Sequence, residues 1–327
     1  MIVDFHTHYV PQVYPARPAG VDEPAWPRME PSEKGARMYV GDRLFRDFES
    51  FYWDIPARLA VMDEFNIDVQ VISPLPELLS YWLDPRAAAV LTDTMNAHIA
   101  DAVGQSGGRM RGLGIVALQD VDKAVAQVET IAGYGLSGIF VGSHINGKTI
   151  ASPDFDPVFA ACEQHGLLVF CHGIKPGGIE KLTGPGMMAS VIGIPHENSV
   201  AVANFITRDI LGQFPDLKLV FSHGGGGISA VIDRMDLVWN MFPVMRETLK
   251  IPPSEYARRF WYDSAVFGEE YLVYLVNQFG ADRIIGGTDG PTDVGERDIG
   301  KWVAGTSLGE AERALVAGGS AARLLGL

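Results

Sequence analysis

Short apolar runs recur along the chain, each followed by a longer stretch whose apolar residues return at helical spacing. The runs Ile2–Phe5, Asp68–Ser73, Arg111–Ala117, Gly138–Val141, Leu167–Cys171, Leu217–Ser222, Phe260–Asp263 and Arg283–Gly287 read as strands. Several are apolar throughout, as expected for strands buried on both faces. Helices are predicted over Pro56–Phe65, Arg86–Gly104, Val121–Gly133, Phe155–His165, Ser199–Gln213, Gly227–Phe242, Glu269–Phe279 and Leu308–Leu325. Ser307-Leu308-Gly309-Glu310 fits a capping box at the start of the last one. Strand and helix alternating eight times predict an α/β fold: a (β/α)8 TIM barrel spanning residues 1–327 as one domain.

Two segments are longer than ordinary connections. The first, an insertion of about residues 9–54, carries many prolines, Arg43 and Arg46, and the aromatics Phe45, Phe48, Phe51, Tyr52 and Trp53. The second, Gly173 to Pro195, is rich in glycine. They follow strands 1 and 5, which places them as lid-forming loops at the C-terminal face, where barrel enzymes build their sites.

Composition narrows the partners. The 327 residues are 47% hydrophobic, enough for a large core, and carry a net charge of −14. That charge argues against nucleic acid and anionic lipid surfaces, and an anionic small substrate needs a local group of cations. The two cysteines, Cys162 and Cys171, read as small core residues rather than a disulfide scaffold. The opening Met1-Ile2-Val3-Asp4 lacks the pattern of a signal peptide and no apolar stretch has membrane-spanning length, so the expectation is a cytoplasmic enzyme.

The candidate chemistry sits at strand ends. His6 and His8, two apart in a strand, point to one face. His172 closes strand 5, His223 closes strand 6 and Asp289 closes strand 8. One barrel mouth thus receives imidazoles and a carboxylate, the donor set of a divalent ion. The end of strand 4, Phe140-Val141-Gly142-Ser143-His144, offers no lysine or glutamate to bridge two ions, so one ion is expected. His144 is ambiguous and could touch substrate, whereas His98, His165 and His196 lie away from strand tops. The Gly224–Gly227 run lacks the lysine of a phosphate loop and suits a tight turn beneath the site.

Asp4-Phe5-His6-Thr7-His8, His172, Ser222-His223-Gly224-Gly225-Gly226 and Gly287-Thr288-Asp289 resemble the amidohydrolase superfamily, and more narrowly its metal-dependent decarboxylase branch. Phe45-Arg46, Trp53-Asp54, Ser80-Tyr81-Trp82, Gly142-Ser143-His144-Ile145-Asn146, Gly193-Ile194-Pro195 and Phe214-Pro215-Asp216-Leu217-Lys218 extend the resemblance over nearly the whole chain. It implies that His6, His8, His172 and Asp289 bind the ion and that His223 is a catalytic acid/base. It also implies a substrate-carboxylate arginine matching Arg46 and a second, matching Arg234, that reaches a neighbouring subunit's site. Two departures bear on substrate: Gly184-Pro185-Gly186-Met187-Met188-Ala189-Ser190 stands where one member of the branch carries tryptophans, and Gly290-Pro291 replaces an aromatic-proline pair.

The resulting expectation is a metal-dependent carboxy-lyase, a non-oxidative decarboxylase of an aromatic, pyridine or muconate-like carboxylic acid, serving aromatic catabolism. In this reading His223 and Asp289 handle the proton and Arg46 and Arg234 bind the substrate carboxylate. The alternative is a hydrolase or hydratase of the same superfamily that uses an activated water. Imidazole-rich donors suit zinc, with manganese as the other option. The apolar residues of the Arg234 helix further predict a homodimer.

Overall fold

The structure is a computed structural model that describes residues 1–291, 295 and 298–327. Eight parallel strands, β1 (Val3–Tyr9), β2 (Val69–Pro74), β3 (Met110–Gly114), β4 (Gly138–Gly142), β5 (Leu168–His172), β6 (Lys218–Phe221), β7 (Trp261–Asp263) and β8 (Ile284–Ile285), pair in sequence order. Beyond β8, the Phe5 and His8 amides donate to the carbonyls of Gly286 and Gly290, both at 2.8 Å, and join the last strand to the first. The expected (β/α)8 barrel is therefore present. β2, β4 and β5 are buried along their whole length, which explains their near-continuous apolar sequences.

β1 runs on to Tyr9, four residues past the predicted end, because polar Thr7 and His8 stay in the ladder, opposite Ile72 and Ser73 of β2. The β1–β2 register shifts between Asp4 and Thr7. Such an irregularity re-aims side chains at a strand top. Inside the barrel, Phe140 and Phe170 form an aromatic floor: the His6 and Phe170 ring centroids are 5.0 Å apart, edge to face.

The helices cover the outside, and Val121–Gly133 and Glu269–Phe279 have their predicted bounds. Ser199–Gln213 is revised. The helix starts earlier, at Ile194, ends at Thr207, and Asp209 at φ 55° separates it from a short turn over Ile210–Gln213. The last predicted helix is three pieces, Glu310–Ala314, a wide turn over Leu315–Gly319, and Ser320–Leu325. Gly318 lies against the first residues of the chain, where a Cβ would come within 2.5 Å of the Met1 carbonyl oxygen. The capping box is displaced too. The Ser307 amide donates to Glu269, and Gly309 is the N-cap, its N–H held by Glu312 at 2.9 Å.

The insertion after β1 contains an antiparallel sheet of Pro27–Pro31, Gly35–Val40 and Arg43–Glu49, where the sequence predicted only a loop. These strands are mostly solvent-facing and rich in charge and proline, so they lack the apolar signature that exposes the barrel strands. No helix among the described residues is long and apolar enough to cross a membrane.

Candidate metal centre

Four side chains from three parts of the barrel converge at its C-terminal mouth. His6, His8, His172 and Asp289 each offer a ligand atom, and these atoms lie within 4.8 Å of one another. His6 and His8 come from β1, His172 from the end of β5, and Asp289 from the segment after β8. Asp289 Oδ1 is 3.2 Å from both His6 Nε2 and His8 Nε2. Asp289 adopts φ 57° and His223 φ 51°, a region costly for residues with a Cβ. Both are turned inward where a strand gives way to a loop.

The three histidines share one arrangement. His6 Nδ1 lies 2.6 Å from Asp263 Oδ2, His8 Nδ1 3.1 Å from the Pro74 carbonyl, and His172 Nδ1 2.7 Å from the Gly173 carbonyl. Each partner only accepts, so each Nδ1 carries the hydrogen and each Nε2 presents a lone pair to the common point. Asp263 is fixed in turn, because its Oδ1 accepts from the amides of Gly224 at 3.2 Å and Ala265 at 3.1 Å.

Electrostatics fit a cation. Burial would depress the basicity of His6, but the Asp289 and Asp263 carboxylates outweigh it and raise the pKa. His8 and His172 are lowered, chiefly by burial, so they stay neutral, the form that ligates. Burial also opposes ionisation of Asp289, yet the surrounding imidazoles, His6 foremost, hold it far below the usual carboxylate range. His6 Nε2 is buried without a hydrogen-bond partner. An orphaned nitrogen among convergent lone pairs and an anion is the donor chemistry of a divalent metal, and the residues fit one.

His223 stands beside this set. Its Nε2 is 3.2 Å from His172 Nε2, and its Nδ1 lies 3.3 Å from the Ala265 carbonyl. The glycines that follow make its position possible. Gly224, Gly225 and Gly226 all have positive φ, and a Cβ on Gly226 would lie 1.8 Å from the Pro195 carbonyl oxygen. The run is a tight turn, as its sequence implied.

Arg46 sits on the third strand of the insertion, with its guanidinium 5.7 Å from the Phe45 ring centroid. Burial raises the pKa of the nearby Glu77 carboxyl, Asp289 adds to the rise and Arg46 works against it. Arg234 is not brought to its own chain's site. It is exposed on the outer helix Ile228–Met241 and has no hydrogen bond or ion pair among the described residues. His144 is engaged at both ring nitrogens. Nε2 faces the carbonyls of Ile174 at 3.0 Å and Lys175 at 3.2 Å, while Nδ1 accepts from the Gly147 amide. It fastens the loop after β5.

Two groups escaped the sequence reading. Asp263 ends a strand just as Asp289 does, and that shared position was the available signal. The second is a buried chain behind β1. Arg58 donates to the His8 carbonyl at 2.9 Å and to Gln70 at 2.8 Å, Gln70 donates to Asp4, and Asp4 accepts from the Thr288 amide and hydroxyl. Burial pushes the Asp4 carboxyl up to about 6. This chain ties β1, which carries His8, to the segment after β8, which carries Asp289.

Comparison with known proteins agrees with the geometry. The chain is 31% identical to 2-amino-3-carboxymuconate-6-semialdehyde decarboxylase of Dictyostelium discoideum, over 99% of this chain and 91% of that one. It superposes on 5-carboxyvanillate decarboxylase from Sphingomonas paucimobilis with a TM-score of 0.80 at 23% identity, covering 100% and 99% of the two chains. A dihydroxybenzoic acid decarboxylase from Polaromonas sp. JS666, solved with bound manganese and 2-nitroresorcinol, gives 0.79 at 19% identity, covering 100% and 97%. The cluster of imidazoles and a carboxylate itself supports a divalent metal in this chain. The amidohydrolase family model matches residues 3–327, and the chain belongs to that family.

Proposed function

We propose that this protein is a metal-dependent carboxy-lyase, a non-oxidative decarboxylase of an aromatic, pyridine or muconate-like carboxylic acid. The observation that carries the reading is His223: an imidazole 3.2 Å from a ligand nitrogen, beside a donor set already complete without it. The activities named for the relatives support decarboxylation over the hydrolytic or hydrating alternative.

His6, His8, His172 and Asp289 would hold one divalent ion, zinc by the preference of imidazole donors, with manganese as the competitor. When bound, the ion supplies Lewis acidity that polarises an oxygen beside the reacting carbon or activates a water. Arg46, on the insertion that serves as a lid, pairs with the substrate carboxylate. As the carbon–carboxylate bond breaks, its electron pair stays on the ring or chain carbon, carbon dioxide leaves and one proton replaces it. His223 Nε2 is placed to deliver that proton, and Asp289 is the second group able to relay it.

The functional unit in this reading is a homodimer in which Arg234 reaches the partner's mouth. Exposed Leu237 and Met241 on the same helix and Phe242 just past its end, at 57%, 62% and 51%, support a covered face. The test is metal-loaded protein with a panel of hydroxylated aromatic and pyridine carboxylates, following carbon dioxide release and ion content. About one ion per chain and carbon dioxide from at least one acid are expected. Net addition of water without carbon dioxide would refute the decarboxylase reading, and two ions per active chain the single-ion site.

A further inference from the structure

The segment that carries Asp289 is pinned on both sides of that residue. On one side Thr288 gives Asp4 two bonds: its amide lies 3.0 Å from one carboxylate oxygen and its hydroxyl 2.9 Å from the other. On the other side the Gly290 amide donates back to the Thr288 hydroxyl at 3.0 Å, and the Gly290 carbonyl accepts from the His8 amide at 2.8 Å. Asp289, between them, holds φ 57°, a left-handed conformation that a residue with a Cβ keeps only where its surroundings impose it. In that conformation its carboxylate lies 3.2 Å from the Nε2 atoms of both His6 and His8.

The bonds behind this turn run one way. The Arg58 guanidinium donates to the Gln70 oxygen, which leaves the Gln70 NH2 to donate to Asp4 at 3.2 Å, and Asp4 receives the Thr288 amide and hydroxyl as well. Three donors converge on the Asp4 side chain, so the position calls for a group that accepts at both oxygens, a carboxylate. Arg58 also donates to the His8 carbonyl at 2.9 Å. Asp4, Arg58, Gln70 and Thr288 are all buried. Apolar packing closes a seam between strands as well, and burying a cation and an anion is a weak source of stability. A one-way chain of hydrogen bonds instead fixes which atom faces which.

We infer that Asp4 is a positioning residue for the metal centre: through the Thr288 amide and hydroxyl it imposes the left-handed turn that aims the Asp289 carboxylate at His6 and His8. This inference rests on the reading of these donors as an ion site and extends it one residue outward. Without the hydroxyl, Asp4 keeps only one of its two bonds to Thr288 and the Gly290 amide loses its acceptor. The turn is then free to relax to an ordinary φ and carry the carboxylate away from the imidazoles.

The experiment measures the zinc affinity of full-length protein by competition with a chromophoric chelator, and the visible spectrum of the cobalt(II)-loaded form, well below the unfolding temperature. Thr288→Val, which keeps the branched shape, should lose zinc affinity about tenfold to a hundredfold, the scale of groups that orient metal ligands. Its cobalt bands should shift or weaken. Thr288→Ser, which restores the hydroxyl, should recover both, and Asp4→Asn should weaken zinc as Thr288→Val does. In an Asp289→Ala background Thr288→Val should cause no further loss, because the residue it acts through is gone. A merely structural role would lower the unfolding midpoint and leave the affinity and spectrum of the folded protein unchanged. Failure of Thr288→Ser to recover, the same loss with and without Asp289, or wild-type zinc affinity in Asp4→Asn each overturns the inference. If Asp4→Asn does not fold, the Thr288 pair and the Asp289→Ala background still decide. Wild type that takes up no zinc refutes the ion site and the inference with it. Zinc held by Thr288→Val within about twofold of wild type refutes the role of Asp4 alone.

Discussion

Replacing Asp263 by asparagine isolates the contribution of the group behind His6 without changing the volume of the site. In the native protein one carboxylate oxygen holds His6 Nδ1 at 2.6 Å, the other accepts two backbone amides, and both side chains are fully buried. An amide cannot do both. If its oxygen keeps the Gly224 and Ala265 amides, its NH2 faces His6 Nδ1 and favours the tautomer with hydrogen on Nε2, which blocks the ligating lone pair. If it flips, the NH2 meets two N–H donors and His6 keeps only a neutral acceptor. Either outcome loses a charge-assisted bond worth roughly 1.5–3 kcal/mol. Metal affinity should therefore fall on the order of ten- to a hundredfold. Competition against a chromophoric chelator reads that affinity directly, and thermal unfolding with and without chelator gives a second measure, since Asp263→Asn should narrow the gap between the two curves. Zinc affinity within twofold of wild type, in a variant that keeps its far-ultraviolet spectrum, would refute the argued role of Asp263.

His223→Asn should keep most of its ion by elemental analysis while turnover drops on the order of 10² or more, and nearly full activity would reassign His223 to structure. Gly226→Ala forces a methyl to within 1.8 Å of the Pro195 carbonyl, so it should lower the unfolding midpoint and the activity together; a stable, active variant would show that the turn below His223 is pliant. Mixing inactive His223→Asn chains with Arg234→Ala chains should restore some activity if Arg234 completes the partner's site. Confirmed subunit exchange with no recovery, together with full activity of Arg234→Ala alone, would remove the shared site.

The barrel was legible because its strands are buried on both faces, so Val169, Phe170 and Cys171, or Leu219, Val220 and Phe221, write an uninterrupted apolar run. The four clustered donors were legible for the same reason: a histidine or aspartate ending such a run stands out. What stayed hidden depends on partners distant in sequence. Asp263 reads like any polar residue until His6, 257 positions away, is found against it. The sheet of the insertion buries only Pro27, Ala36, Met38 and Phe48, so its strands never write a continuous apolar run. The break at Asp209 and the displaced cap at Gly309 follow from local competition: a left-handed residue in one case, the claim of Glu269 on the Ser307 amide in the other.

The closure of the barrel between its first and last strands also governs when the centre can exist during biosynthesis. His8 and Asp289 are 281 positions apart, and the amides of Phe5 and His8 find their carbonyls only at Gly286 and Gly290. A growing chain displays the two imidazoles of β1 first and adds 281 residues beyond His8 before Asp289 exists to join them. Contacts of such long separation form late and slow the final step of folding. Metal acquisition therefore reports completeness: a chain that stops before residue 289 has three imidazoles and no carboxylate to join them. An ion held by donors from both sides of that seam would clasp the first and last strands and stabilise the closed barrel against opening there.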